Sequence, residues 1–267
     1  MLQRSQAQVV EIFHLLFLRV LVVGDAHWCT LKGEANLRYF FGSPRYSNDI
    51  DLDFHGKASW TIAKKVGALL DGGPQMDLLA RQAKIEVVEV SATKQTDTTL
   101  RWKVGLRAAG HHELIRTKVE LSGRGDKSDE SGDVAFAAVP NDIVKPYGLV
   151  SPSVRHYLPT AAINQKIAAL ALRSETKARD VFDLDLLLRQ RHADGSDLAG
   201  LDPTHAADAA DRALSVPFAN FTSEVAPFLD ADLSALYDAS QWDTMRVGVA
   251  DDLEAIAANT PPDGGGT

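Results

Sequence analysis

Residues 41–54 read Phe-Gly-Ser-Pro-Arg-Tyr-Ser-Asn-Asp-Ile-Asp-Leu-Asp-Phe, a glycine-proline turn followed by a segment in which acidic and apolar residues alternate. Alternation with a period of two predicts a β-strand with one face in solvent and the other in the core. On such a strand Asp49 and Asp51 point the same way, with Cα atoms roughly 6–7 Å apart. Two carboxylates at this spacing suit one hard cation such as Mg²⁺, or two ions that share a carboxylate. Asp53 lies on the same face, further along the strand.

A third carboxylate from a neighbouring strand would complete such a site, and Glu120 is the candidate. Residues 113–122 also alternate, so that the polar side chains Arg116, Lys118 and Glu120 share one face of the predicted strand. Glu120 could equally serve as a cross-strand partner of Arg116 or Lys118. An isolated Asp-x-Asp is more often a solvated loop or strand edge than a metal site, so the surrounding sequence must indicate whether this one binds a metal.

Periodicity around the acidic strand predicts an α/β (α+β) core with a mixed sheet and flanking helices. The predicted helices are residues 7–23, 36–41 and 58–70. The predicted strands are residues 28–31, 49–54, 84–93, 99–107 and 113–122, the last three forming an antiparallel meander.

From about Pro159 the apolar period changes to 3.6, which predicts a helical C-terminal half. Its predicted helices are residues 160–173 and 177–189, with more in 204–258. We therefore predict a core over residues 1–150 and a helical domain over 151–258 that completes the active site. Residues 123–132 are predicted to form a mobile polar loop, and residues 259–267 a disordered tail.

The charge of the chain is unevenly distributed. The chain has 28 Lys and Arg and 36 Asp and Glu. Residues 191–267 contain only 3 of the basic residues but 14 of the acidic ones, so residues 1–190 contain 25 basic and 22 acidic residues. The cations that could meet phosphates therefore lie almost entirely in the first 190 residues. This distribution permits a nucleic-acid partner despite the net charge of −8.

The single cysteine, Cys29, excludes an intramolecular disulfide and favours a reducing compartment. The most apolar segment, residues 9–23, contains Glu11, His14 and Arg19, and is too short and too charged to span a bilayer. It also lacks the basic start and the small-residue cleavage site of a signal peptide. We therefore expect a cytoplasmic protein with no membrane partner.

Two separate motifs resemble those of one family, the AbiEii/AbiGii nucleotidyltransferase toxins. The first motif of this family is Gly-Gly-Thr-Ala-Leu, followed by Arg-Phe-Ser-x-Asp-Ile-Asp-Leu. This chain resembles it at Lys32-Gly33, which precede a predicted helix, and at residues 43–52. Residues 164–173 and 177–184 resemble its later motif, a Lys-x-x-Ala-Leu helix followed by Arg-Asp-hydrophobic-aromatic-Asp-Leu. Two motifs in the right order, about 115 residues apart, are more specific than either alone. The resemblance covers roughly residues 15–190.

The family includes the mycobacterial MenT toxins and belongs to the DNA polymerase β-like nucleotidyltransferase superfamily. The resemblance implies that Asp49 and Asp51 are catalytic and hold Mg²⁺, with two ions expected. It implies that Lys166 neutralises charge on a nucleoside triphosphate and that Asp180 positions this lysine or the attacking group. It assigns the phosphates to Gly33, Arg45 and Ser47.

The first motif departs from the family at Glu34, where a second glycine is usual. That glycine lets backbone amides approach phosphates closely, whereas a glutamate adds bulk and negative charge. The departure puts nucleotide docking through this turn in question, but not the metal site.

The resemblance implies a toxin that transfers a nucleoside monophosphate to RNA, expected to be the 3′ end of tRNA, and thereby blocks translation. Its partner would be a separately encoded antitoxin. One alternative is transfer to a small molecule or to a protein hydroxyl group. The other is a degenerate family member that binds nucleotide or RNA without turnover, which Glu34 favours and the intact acidic pair opposes.

Overall fold

The computed structural model of the protein describes residues 4–123, 132–196, 198 and 200–259. It divides into two compact units. Unit 1 contains residues up to Gly42 and Tyr46–Leu158, while unit 2 contains Ser43–Arg45 and the residues from Pro159 onwards. Residues 124–131 of the predicted mobile loop and residues 260–267 of the predicted tail lie outside the described residues.

Unit 1 is built on one seven-stranded sheet. Its strands are β1 (Cys29–Lys32), β2 (Asp49–Phe54), β3 (Ile85–Gln95), β4 (Thr99–Ala108), β5 (Ile115–Ser122), β6 (Val134–Ala138) and β7 (Ser153–Tyr157). Their order is β3-β4-β5-β2-β1-β7-β6. β2 pairs with β5 and β1 with β7 in parallel, and the other neighbours are antiparallel. The predicted mixed sheet and the β3-β4-β5 meander are confirmed.

Helices cover the apolar face of this sheet. Unit 1 contains α1 (Gln6–Leu21), α2 (Gly33–Phe40), α3 (Ser59–Leu70), α4 (Pro74–Gln82) and the short α5 (Asn141–Val144), which continues as a 3₁₀ turn, Lys145–Tyr147. α1 begins with a capping box between Ser5 and Gln8 and is buried on most of its surface. The apolar residues of α1 and α3 share one core with those of β4 and β5.

Two strands, β6 and β7, and two helices, α4 and the short α5, were not predicted in unit 1. β6 is a run of only five residues, all of them apolar, so it has no period-two alternation that would indicate a strand. β7 lies within the residues assigned from sequence to the helical half, yet it pairs with β1 through Thr30 and Arg155. α4 begins at Pro74, directly after Gly72-Gly73, a sequence typical of a turn; proline is also well suited to the first turn of a helix.

Unit 2 is helical in its described residues, as predicted. Its helices are α6 (Pro159–Leu172), α7 (Ala178–Ala193), α8 (Ala206–Ser215), α9 (Phe218–Glu224), α10 (Ala231–Ser234) and α11 (Ala239–Ala258), with a 3₁₀ turn at Ala226–Phe228. Trp242 of α11 is fully buried against Phe221, and its indole N–H donates to the carbonyl of Val216. None of the described helices of either unit is long and apolar enough to cross a membrane.

Candidate active site

The two aspartates of the acidic motif lie on β2 and face the same side of the sheet. In the register of β2 with β5, Asp49 is opposite Lys118 and Asp51 is opposite Glu120. An Oδ2 atom of Asp49 lies 2.5 Å from Nζ of Lys118. The predicted strand is therefore present with its predicted orientation, and a lysine accompanies the acidic pair.

Asp51 is surrounded by other carboxylates. Its pKa is raised from 3.8 to about 6, mainly because burial disfavours the charged form. Lys32 opposes this rise in pKa, whereas the negative charges of Glu120, Glu34 and Asp49 add to it. The site thus has a surplus of negative charge, which a cation would compensate.

Glu120 forms an ion pair that the sequence did not indicate. Its Oε2 lies 2.7 Å from Nε of Arg101, the residue opposite it on β4. The two partners considered from sequence were Arg116 and Lys118, which pair instead with Glu89 and Asp49. Within the described part of the chain, no three His, Cys, Asp or Glu side chains are grouped so as to hold a metal ion.

Asp53, the third acidic residue of β2, is bound by two neighbouring side chains. It is buried, forms an ion pair with Lys32 and accepts a hydrogen bond of 2.9 Å from the hydroxyl of Tyr157. It therefore has a structural environment different from that of Asp49 and Asp51.

Gly33 lies directly against the acidic pair. It begins α2 with φ of +67°, a left-handed conformation that disfavours residues with a side chain. A Cβ atom added here would lie 3.0 Å from Oδ2 of Asp51. Both features explain a glycine at this position, whereas the adjacent Glu34 occupies the first turn of α2, where the helix dipole favours an acid.

The turn before β2 is fixed by side-chain hydrogen bonds. Ser47 Oγ donates to the carbonyl of Asp49 over 2.5 Å, and Thr117 Oγ1 donates to the carbonyl of Asn48 over 2.7 Å. Nε2 of the buried His14 lies 2.8 Å from Thr117 Oγ1 and therefore donates to it. Burial lowers the pKa of His14 to about 3, which keeps this ring neutral.

Arg45 is deeply buried in unit 2, although the resemblance assigned it to the nucleotide phosphates. Its Nη2 lies 3.0 and 2.9 Å from the two carboxylate oxygens of Asp183. Asp183 has no exposed surface. The structure thus gives Arg45 a buried ion pair rather than a surface position.

Lys166 and Asp180 lie in the same buried cluster, and the partly exposed Arg173 contacts it from the surface. Nζ of Lys166 is 3.0 Å from Oδ1 of Asp180 and 2.6 Å from Oδ2 of Asp183. Nε of Arg173 lies 3.2 Å from Oδ2 of Asp180. Asp180 therefore contacts the lysine it was expected to position. That this cluster and the Asp49–Asp51 pair act in one active site stays a prediction.

Sequence reasoning gave no role to Lys32, Arg101 or Asp183, and it did not predict that Lys118 pairs with Asp49. Asp183 was detectable, since it lies three residues after Asp180 and thus on the same helix face. Arg101 and Lys118 required the register of the sheet, which no local pattern supplies.

Comparison with known proteins places this arrangement of motifs and fold in a family. The family model described as "Nucleotidyl transferase AbiEii toxin, Type IV TA system" matches residues 15–262. The chain belongs to the AbiEii family. As an AbiEii-family protein it is a nucleotidyltransferase and a toxin of a type IV toxin–antitoxin system, which implies an antitoxin partner.

Two solved structures share the fold of this AbiEii-family chain. JHP933 from Helicobacter pylori is 20% identical, with a TM-score of 0.60 and coverage of 96% of this chain and 95% of that one. A protein described as "putative nucleotidyltransferase from H. pylori" is also 20% identical, with a TM-score of 0.63 and coverage of 96% and 98%. Identities this low establish the fold alone. No match was found among curated proteins.

Proposed function

We propose that this chain transfers a nucleoside monophosphate from a nucleoside triphosphate to the 3′ hydroxyl group of an RNA, with tRNA as the acceptor and a block of translation as the result. The observation that carries the proposal is the half-buried Asp51 carboxylate beside Asp49, whose pKa is raised mainly by burial and further by the charges of Glu120, Glu34 and Asp49. Such an excess of carboxylate oxygens is the environment that hard divalent cations occupy in nucleotidyl-transfer sites.

The residues present fit Mg²⁺ held by Asp49 and Asp51. Both carboxylates point to one side of β2, and Glu120 and Glu34 add negative charge around Asp51. A cation would be stabilised there. A bound magnesium ion would supply charge neutralisation at the phosphates and would favour ionisation of the attacking hydroxyl group. Glu120 lies opposite Asp51 and would join the ion only by leaving Arg101.

The protein's own side chains contribute positioning and positive charge. Asp180 and Asp183 hold the ammonium group of Lys166 in a fixed orientation, with Nζ–Oδ distances of 3.0 and 2.6 Å. In the proposed reaction this lysine binds the triphosphate, as in other phosphoryl-transfer sites where catalysis rests on positioning and electrostatics.

The proposed reaction conserves atoms and charge. The oxygen of the acceptor hydroxyl group forms a bond to the α-phosphorus, and the bond from that phosphorus to the bridging oxygen of pyrophosphate breaks. The hydroxyl proton passes to solvent and pyrophosphate leaves. The product is RNA extended by one nucleotide.

An RNA acceptor is supported by the distribution of charge. Residues 1–190 hold 25 of the 28 Lys and Arg, so the cations accompany the acidic pair instead of being spread along the chain. Polyanion binding depends on such local positive charge rather than on net charge.

The test is transfer of label from each of the four nucleoside triphosphates, supplied with magnesium and total tRNA. We expect label in RNA, dependent on magnesium and absent with Asp51→Asn. Label in a protein or small-molecule fraction would show that the acceptor is a protein or a small molecule instead of RNA. No label in any fraction would favour a non-catalytic family member.

A further inference from the structure

Two lysines lie directly opposite each other on the side of the sheet that carries the acidic pair. Lys103 of β4 is paired in register with Lys118 of β5, and Lys118 is in turn opposite Asp49 of β2. Like charges opposite each other on one face of an antiparallel pair are destabilising. A fourth residue, Ser91 of β3, extends this row to the edge of the sheet and adds no negative charge.

A second row runs beside the first. It passes from Asp51 through Glu120 and Arg101 to Lys94 on the edge strand β3. Lys94 and Lys103 are exposed, and in the described part of the chain neither forms an ion pair. The outermost charged residue of each row is therefore an exposed lysine, Lys103 in the first row and Lys94 in the second.

The opposite ends of the same strands differ in this respect. Arg107 is balanced by Glu86 at 2.7 Å, and Arg116 by Glu89 at 2.5 Å. On this face of β3, β4 and β5, uncompensated positive charge is thus concentrated at Lys94 and Lys103. With strands about 4.8 Å apart, Lys103 lies two strands, or about 10 Å, from Asp49.

We propose that this face, defined by Lys94, Arg101, Lys103 and Lys118, binds the phosphodiester backbone of the acceptor RNA next to its reacting end. A polyanion would supply the negative charge that Lys94 and Lys103 lack, and the two rows lead from the sheet edge to the acidic pair. The inference rests on the proposed function, since it assumes an RNA acceptor. Its occupant is nucleic acid rather than protein, because the contacts offered are isolated cations on an exposed polar face with no apolar anchor between them.

The test variants are Lys103→Glu and the double variant Lys94→Glu/Lys103→Glu. The control variant is Lys64→Glu. Lys64 is an exposed lysine on α3, a helix whose buried residues pack on the other, apolar face of the sheet. Binding of fluorescently labelled tRNA is measured by anisotropy over a range of salt concentrations, and transfer kinetics are measured separately for the nucleotide and for RNA.

We expect Lys103→Glu to weaken tRNA binding several-fold and to reduce the slope of log affinity against log salt by about 1, with a further loss in the double variant. The KM for RNA should rise while the KM for the nucleotide stays unchanged. Lys64→Glu should match the unmodified protein in every measurement.

Equal tRNA affinity of Lys103→Glu and Lys64→Glu would contradict the proposed RNA-binding surface, even if transfer to RNA occurs. Weaker binding of a protein antitoxin with unchanged tRNA binding would overturn it in favour of a protein partner. Failure of the unmodified protein to label RNA would instead reject the proposed function, so the two failures are distinguishable.

Discussion

Asp51 is half-buried, has acidic neighbours, and lies where a Cβ atom at position 33 would meet its carboxylate. Its pKa of about 6 in the folded state, against 3.8 ordinarily, means that the folded chain retains a proton which the unfolded chain releases. Stability must therefore fall as pH rises from about 4 through 6, and above that window the ionised carboxylate opposes folding.

In metal-free buffer we expect Asp51→Asn to be more stable than the unmodified protein at pH 7.5, by up to about 3 kcal/mol, and to show no such advantage near pH 3.5. The same variant should lose nucleotidyl transfer. Urea unfolding at the two pH values measures the first effect. Equal stability of the two proteins at pH 7.5 would contradict the environment assigned to Asp51.

Gly33 and Gly42 provide a matched pair of glycines. Both have left-handed backbones, with φ of +67° and +62°, but a Cβ at Gly42 would meet no atom within 4 Å. Replacing either by alanine costs roughly 1–2 kcal/mol through the backbone.

We expect Gly42→Ala to show that loss of stability and retain activity. Gly33→Ala should lose more stability and most of its activity, because its Cβ displaces the Asp51 carboxylate. Unfolding curves and transfer rates of the two variants make the comparison, and equal activities would show that Gly33 does not constrain the site.

At the scale of elements, the helix α7 carries Asp180 and Asp183 one turn apart, and both side chains are buried. Asp183 has no exposed surface and pairs with Arg45 and Lys166, whereas Asp185 of the same helix pairs with the exposed Arg189 at i+4. Removing one member of a buried ion pair leaves uncompensated charge and costs far more than breaking a surface pair.

Asp183→Ala should therefore lower the free energy of unfolding by about 3–5 kcal/mol, and Asp185→Ala by less than about 1 kcal/mol. Chemical denaturation of both variants tests this. Similar losses would mean that the Arg45–Asp183–Lys166 contacts do not stabilise unit 2.

At the scale of the whole molecule, unit 2 is not continuous in sequence. Ser43–Arg45, only a few residues before Asp49, belong with the helices that begin at Pro159. Arg45 supplies one of the cations that neutralise Asp183, so a fragment of unit 2 that lacks this segment lacks part of its buried charge balance.

A chain of residues 159–259 should thus be less stable than the same unit in the full protein. Asp183→Asn should stabilise this fragment, since it removes an undercompensated carboxylate, yet destabilise the full chain. Thermal unfolding followed by circular dichroism compares the four proteins. A substitution that acts in the same direction in both contexts would refute the role given to Arg45.

The sequence by itself determined the period-two strand of residues 49–54, the antiparallel meander and the two helices of the second motif, because each depends on local apolar spacing. It also determined the family, since both motifs are contiguous in sequence. The direction of Asp49 and Asp51 followed from strand geometry alone.

Only the tertiary structure decided which charges meet. The pairing of Glu120 with Arg101, of Asp49 with Lys118 and of Arg45 with Asp183 depends on strand register and on packing between distant segments, which no local pattern encodes. The same cause explains β7, which lies in the stretch assigned to helices but pairs with β1: a short strand between helices is stabilised by its partners in the sheet, not by its own sequence.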